Sequence, residues 1–92
     1  MKVTLRFFAG FRELLGDSIE FEGKEGMSVA GTVRDFAAGN NAGYEAIFDE
    51  TGAFRNFVIV MRNKKRIRSQ DAETILIGEG DEIAVFPPVA GG

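Results

Sequence analysis

The 92-residue chain contains no cysteine and no histidine. Without cysteine it has no disulfide, no thiolate nucleophile and no thiolate ligand for zinc or an iron–sulfur cluster. Without histidine it also lacks the most common general base and metal ligand. The remaining Ser, Thr, Lys, Tyr and carboxylate side chains show no spacing that pairs a nucleophile with a base. The sequence therefore indicates a protein that is not itself an enzyme and that binds no metal.

Long apolar runs and a strong charge of either sign are missing as well. No run approaches the roughly 18 apolar residues that a membrane span needs, and residues 3–7 do not have the layout of a signal peptide. The net charge is −3, which does not favour binding to nucleic acid. With 45% hydrophobic residues the chain can build one core. We expect a single cytoplasmic domain with no membrane partner.

The opening segment has the pattern of two strands joined by a short helix. Val3, Leu5 and Phe7 alternate with their neighbours, which places them on one face of a half-buried strand. Residues 11–15 have the pattern of a helical turn that a glycine ends. Residues 17–21 can then return as a second strand, antiparallel to the first.

The middle of the chain is predicted to hold the main helix. Ser28 suits the N-cap of a helix that runs to about Ala38, with apolar residues at helical spacing. The glycines and asparagines of residues 39–43 should stop it. The following stretch is too apolar for a solvated linker, which favours a second short helix or a packed loop. Its large apolar residues are Tyr44, Ile47, Phe48, Phe54 and Phe57.

The last third of the chain supplies the remaining strands. Residues 57–61 and 65–68 are rich in strand formers and flank a turn at 63–64. Residues 83–86 form the final strand, after a loop with one helical turn within 71–76. This order predicts an α+β fold, a β-grasp (ubiquitin-like) roll in which a mixed sheet of four to five strands wraps one main helix. The first and last strands should be adjacent and parallel at the sheet centre.

The C-terminal tail is the most informative segment. We predict a β-grasp domain over residues 1–86 and a flexible tail over residues 87–92. Two prolines give a stiff exit from the fold, and two final glycines have no side chain to obstruct a narrow channel. Five extended residues reach roughly 15–18 Å, enough to enter the active site of a partner. A frayed end without function is the alternative. The tail residues predicted to contact a partner are Pro87, Pro88, Val89, Ala90, Gly91 and Gly92.

Two phenylalanines are predicted to form an apolar patch at the base of the tail. Phe8 and Phe86 should lie on the outer face of the first and last strands, because Phe7 and Val85 fall in the inner register. Such a patch either docks a partner protein or packs under the segment 44–57. The sequence leaves both readings open.

Five basic residues crowd the segment 62–68 and admit two interpretations. As phosphate contacts they would bind nucleic acid with a strong salt dependence. As a solvated hairpin they would protect a strand edge from pairing with another chain, and this second interpretation is preferred. The five residues are Arg62, Lys64, Lys65, Arg66 and Arg68.

Segments at both ends of the chain resemble the MoaD/ThiS family of ubiquitin-like sulfur carriers. Residues 80–92 (GDEIAVFPPVAGG) resemble the C-terminus of that family. Residues 7–16 (FFAGFRELLG) resemble its first strand and turn. The two segments cover roughly a quarter of the chain. Within the family, the resemblance is closest to the MoaD branch, which contains the small subunit of molybdopterin synthase.

The resemblance implies a reaction at the C-terminus. A MoeB-like (E1-like) activating enzyme would adenylate the carboxylate of Gly92 with ATP and Mg²⁺, and sulfur would replace AMP to give a thiocarboxylate. Gly91 would be the second slender position of the tail, and Phe86 matches a family position involved in docking. The thiocarboxylate would deliver sulfur to a molybdopterin precursor on a MoaE-like large subunit. The chain itself would be a carrier with no bound cofactor.

One departure from the family pattern leaves an alternative open. The segment 39–56 and the basic turn after Met61 look longer than in short MoaD chains, and in this respect the chain is similar to archaeal small modifier proteins of the same family. Those proteins use the activated glycine either to carry sulfur or to form isopeptide bonds with lysines of target proteins. Sulfur donation in tRNA thiolation is a further alternative. All of these fates begin from the same acyl adenylate.

Overall fold

A mixed five-stranded sheet organises residues 1–88, the part of the chain that the computed structural model describes. The strands are β1 Lys2–Phe7, β2 Ser18–Glu22, β3 Ile59–Arg62, β4 Lys65–Ile67 and β5 Glu82–Phe86. The helices are α1 Gly10–Leu15, α2 Val29–Ala37 and α3 Asn41–Ile47, and a 3₁₀ turn covers Asp71–Glu73. Of the helices within these residues, none has the length and apolar character needed to cross a membrane.

The sheet has the strand order β2-β1-β5-β3-β4. β1 and β5 are parallel, and the other neighbouring strands are antiparallel. Parallel strands cannot be joined by a tight hairpin, so the chain between them crosses over and places α2 on one face of the sheet. The α+β prediction and the central, parallel first and last strands are confirmed.

The main helix covers the inner face of the sheet. Ser28 Oγ accepts a hydrogen bond from the Gly31 N–H at 2.9 Å, which confirms the predicted N-cap. Val29 and Val33 are fully buried in the same core cluster as Leu5. Full burial of a side chain of this size contributes about 1.5–3 kcal/mol. Packing therefore offsets the low intrinsic helix propensity of Gly31.

A second short helix begins earlier than the sequence predicts. α2 ends at Ala37, just before the segment 39–43 that was predicted to stop it. The second half of that segment already belongs to α3, because Asn40 acts as the N-cap of α3. The Asn40 side-chain oxygen accepts a hydrogen bond from the Gly43 N–H at 2.9 Å. Gly43 also lets α3 approach α1, since a Cβ at this position would lie 2.5 Å from Leu15 Cδ2. The segment thus ends one helix, and its residues 41–43 form the first turn of the next.

The large apolar residues of the segment 44–57 are packed, with one exception. The Phe48 ring centroid lies 5.0 Å from that of Tyr44 and 4.8 Å from that of Phe54. The expectation that the large apolar residues here are packed is wrong for Phe57, whose side chain is 81% exposed. Phe57 has a φ of +69° and lies in a turn that leads the chain into β3. The next residue, Val58, is buried instead.

A tight hairpin joins β3 and β4. Asn63 and Lys64 have φ values of +51° and +70°, as the two central residues of a type I′ turn require. Arg62 and Lys65 face each other across the turn. The predicted turn at 63–64 and the short return strand are confirmed.

Candidate functional site

Two stacked phenylalanines mark the point where the tail leaves the sheet. In the parallel pair β1 and β5, Phe7 lies opposite Val85, so the next residues, Phe8 and Phe86, are neighbours. Their rings stack with 4.2 Å between centroids and 9° between ring planes. Both residues are half-buried, which leaves part of the pair accessible. The predicted side-by-side placement of these residues is confirmed.

The stack continues onto β3 and does not join the core. Ile59 pairs with Phe86 and is also half-buried. The core cluster includes Phe48 and Phe54 of the segment 44–57. Within residues 1–88, neither that cluster nor the set of partly buried side chains packed against it includes Phe8, Ile59 or Phe86. Packing of the stack under the segment 44–57 is therefore not what the structure shows. We call Phe8, Ile59 and Phe86 the tail-base patch.

A guanidinium group lies beside the tail-base patch. Arg6 Cζ is 5.0 Å from the centroid of the Phe8 ring, within range of a cation–π interaction. One terminal nitrogen of Arg6 is 3.9 Å from the Asp17 carboxylate. The buried Nε of Arg6 has no hydrogen-bond partner among residues 1–88. An arginine that is paired with a carboxylate therefore borders the patch on its β1 side.

The structure covers only the beginning of the tail. Pro87 directly follows β5 and is half-buried, and Pro88 is exposed. The tail thus starts at the tail-base patch. Four residues predicted to bind a partner or to react lie outside the described residues: Val89, Ala90, Gly91 and Gly92.

A buried carboxylate that the sequence analysis missed holds the start of β5. Asp81 is 6% exposed. Its two oxygens accept hydrogen bonds from Arg62 Nε at 2.9 Å, Asn63 Nδ2 at 2.9 Å and the Gly78 N–H at 2.7 Å. The sequence indicated only a turn at this position. An aspartate three residues after a glycine is a signal for a side-chain bond to the backbone, and it could have suggested the Gly78 contact.

Opposing effects set the pKa of Asp81. Partial burial raises this pKa, whereas the hydrogen bonds and the positive charge of Arg62 lower it, and the net shift is downward. The ionised carboxylate therefore ties the turn before β5 to the tip of the β3–β4 hairpin. No group of three or more His, Cys, Asp or Glu side chains placed to hold a metal ion occurs within residues 1–88.

Backbone strain next to the patch is concentrated at Ala9. Its φ of +53° and ψ of −130° lie in a region that is nearly restricted to glycine. The Ala9 carbonyl accepts a hydrogen bond from the Arg12 N–H at 3.0 Å, which begins α1. The conformation of Ala9 thus turns the chain from Phe8 into the first helix.

The substitution Ala9→Gly is expected to raise the melting temperature by several degrees. Relief of about 1–3 kcal/mol of strain exceeds the roughly 0.4–1 kcal/mol that glycine adds in unfolded-chain entropy, and 1 kcal/mol corresponds to roughly 4–8 °C in a domain of this size. Thermal unfolding followed by circular dichroism tests this. The control Ala38→Gly, at a position with φ −59°, should lower the melting temperature. A decrease for both variants would contradict the assignment of strain to Ala9.

The basic hairpin is partly neutralised within the chain. Arg62 pairs with Asp81 at 2.9 Å, and Arg68 pairs with Asp71 at 3.0 Å. The hairpin includes β4, which forms one edge of the sheet. Its placement is consistent with the protection of a strand edge, the preferred interpretation from the sequence. The exposed cations of the hairpin and β4 are Lys64, Lys65 and Arg66.

Comparisons with known proteins place these features in a family context. Residues 5–92 match the model of the ThiS family. The chain is 34% identical over 93 residues to small archaeal modifier protein 3 of Haloferax volcanii, with 100% of both chains covered. It is 35% identical over 100 residues to the molybdopterin synthase sulfur carrier subunit of Aedes aegypti, with 100% of this chain and 90% of that protein covered.

A solved structure supports the fold independently. The crystal structure of SAMP1 from Haloferax volcanii superposes with a TM-score of 0.84 at 22% identity, with 100% of both chains covered. At this level of identity the likeness concerns the fold alone. The fold is the ubiquitin-like β-grasp arrangement that the strand order and the main helix define.

Proposed function

The chain belongs to the ThiS/MoaD family of ubiquitin-like sulfur carriers and modifiers, and from this membership we propose that the carboxylate of Gly92 is its reacting group. The observation that carries the proposal is the extent of the family match, which runs from the second half of β1 through β5 to the final glycines. In this role the chain is a carrier, and its partners supply the catalysis.

The proposed chemistry begins with activation, because a carboxylate resists sulfur nucleophiles until it has a good leaving group. On a MoeB-like activating enzyme, a carboxylate oxygen of Gly92 attacks the α-phosphorus of ATP, the bond to the β-phosphate oxygen breaks, and pyrophosphate leaves. Mg²⁺ on that enzyme neutralises the phosphate charge. A sulfide-level donor then attacks the acyl carbon, the bond to AMP breaks, and a thiocarboxylate remains. ATP and Mg²⁺ thus belong to the activating enzyme.

The described residues would contribute binding and orientation to this reaction. The tail-base patch offers a partner stacked aromatic rings beside a guanidinium group, a composition found in the energetic centres of protein interfaces. Asp81 holds the start of β5 and so orients the strand that ends at the tail. These groups would position the C-terminus in the active site of the partner without taking part in bond making.

Two fates of the activated carboxylate are supported by the comparisons. We place the first in molybdopterin synthesis, with this chain as the small subunit beside a MoaE-like large subunit, on the basis of the likeness to the Aedes aegypti sulfur carrier subunit. The second is conjugation of Gly92 to lysines of target proteins, on the basis of the likeness to the Haloferax volcanii modifier. Sulfur donation in tRNA thiolation would use the same thiocarboxylate.

The proposal is tested by the intact mass of the chain after incubation with a MoeB-like enzyme, magnesium ATP and sulfide. We expect a mass gain equal to the replacement of one oxygen by sulfur, which fragmentation should place at Gly92. No change, with an enzyme that is active on another carrier, would contradict the proposal. Addition of a MoaE-like subunit and a molybdopterin precursor, or of lysine-bearing proteins, then separates sulfur transfer from isopeptide formation.

The substitution Phe86→Ala is expected to weaken binding to the activating enzyme by about tenfold or more, because it removes half of the ring stack. The melting temperature should fall by only a few degrees, since Phe86 lies outside the core cluster. Titration calorimetry and thermal unfolding measure the two effects. Leu14→Ala, at a 39% exposed residue of α1, is the control for binding. A loss of stability as large as that of Phe48→Ala would instead assign Phe86 to the core.

A further inference from the structure

Phe57 is an exposed aromatic residue in an unfavourable backbone conformation. Its side chain is 81% exposed, against 56% for Leu76 and 39% for Leu14. Its φ of +69° lies in the left-handed region, which favours glycine or asparagine over a bulky residue. Neither burial nor backbone preference explains a phenylalanine at this position. An exposed aromatic side chain of this kind is a candidate contact for another protein.

A cleft beside Phe57 has the chemistry of a docking site for an acidic segment. The cleft has a volume of about 460 Å³ and lies between Phe57 and residues 66–70. Val58 and Ile67 contribute apolar lining, and the charged residues that line it are both arginines, Arg66 and Arg68. We call it the Phe57 cleft. An aromatic wall beside guanidinium groups suits carboxylates that accompany an apolar side chain.

The Phe57 cleft opens at the end of the sheet from which the tail leaves. β3 is antiparallel to β5, with Ile59 opposite Phe86, and Phe57 precedes Ile59 by two residues. β4 ends on the same side, since Ile67 lies opposite Val60. Neighbouring strands are about 5 Å apart, so the cleft lies within roughly two strand spacings of the tail-base patch. A protein that takes the tail can contact both.

We propose that the Phe57 cleft is a second docking point for the enzyme that activates the C-terminus, where it binds an acidic segment of that enzyme carrying an apolar side chain. The inference rests on the proposed function and adds a site to it. Phe57 is the central anchor and Arg66 is the main charge of the rim, since Arg68 also pairs with Asp71 at 3.0 Å. The cleft binds and does not react, so it affects the KM for the chain and not kcat.

The test is the rate of pyrophosphate release by a purified MoeB-like enzyme at increasing concentrations of the chain. For Phe57→Gly we expect a KM at least about tenfold higher and a kcat within about twofold of the original. The melting temperature should be equal or higher, because glycine accepts the φ of +69°. If the ring stabilised the fold, the substitution would lower the melting temperature. Leu76→Ala, at another exposed apolar residue, is the matched control and should leave KM unchanged.

Charge reversal tests the arginine rim. Arg66→Glu should raise KM, because one cation fewer then faces the acidic segment. Added salt should also change the KM of this variant less than it changes the KM of the original chain, since less attraction is left to screen. Lys24→Glu, an exposed lysine outside the cleft, is the control for net charge. An unchanged KM for Phe57→Gly, with the original chain adenylated normally, would overturn the docking site and leave the proposed function standing. An original chain that is not adenylated would overturn both.

Discussion

A chain that lacks Gly92 should show no measurable adenylation and should melt at the same temperature as the intact chain. Removal of one residue shortens the reach of the tail by roughly 3.5 Å, and a misplacement of about 1 Å at a reacting group already costs about 100-fold in rate. Stability should not change because the last residue of a chain usually contributes little to it. Pyrophosphate release and thermal unfolding measure the two properties.

A substitution at the same position separates the effect of tail length from the effect of side-chain size. Gly92→Ala keeps the length of the tail and adds one methyl group, so it should be adenylated slowly but measurably. The chain lacking Gly92 should still bind the activating enzyme, because the tail-base patch and the Phe57 cleft are intact. Adenylation of the shortened chain at the normal rate would exclude both candidate fates, since each starts from the Gly92 acyl adenylate.

The substitution Asp81→Ala is expected to lower the melting temperature by roughly 10–20 °C. It removes the acceptor of three hydrogen bonds and leaves the partly buried Arg62 without its carboxylate. The loss amounts to about 2–3 kcal/mol, at roughly 4–8 °C for each kcal/mol in a domain of this size. Scanning calorimetry measures it. Asp35→Ala, at an exposed carboxylate on α2, should change the melting temperature by no more than about 2 °C.

The effect of Asp81 should depend on pH in a defined direction. Folding lowers the pKa of Asp81 below its ordinary value of 3.8, so the unfolded chain takes up the proton more readily than the folded chain. The stabilisation is therefore fully present above the ordinary value and is lost as the pH falls through the folded pKa. We expect the difference in melting temperature between the original chain and Asp81→Asn to shrink on acidification below about pH 4. A difference that is constant with pH would contradict this.

Local patterns predicted much of the fold. Alternation placed Val3, Leu5 and Phe7 on the inner face of β1, and Ser28 indicated the start of α2, because both signals depend on residues a few positions apart. The start of α3 was missed, although Asn40 is also a capping residue. An asparagine can begin or end a helix, and the close approach of Gly43 to Leu15, which the folded chain shows, is far away in sequence.

The order of predicted elements indicated the fold class, and the motifs at the two ends of the chain carried the family resemblance. Neither signal needs a contact between residues that are far apart in sequence. The roles of Asp81 and Phe57, in contrast, became visible only in the folded chain. The partners of Asp81 include Arg62 and Asn63, which sheet pairing brings close across a long stretch of chain. Phe57 resembles a core residue by type, and its exposure results from a turn that buries Val58. Such features depend on strand register, which the whole fold sets.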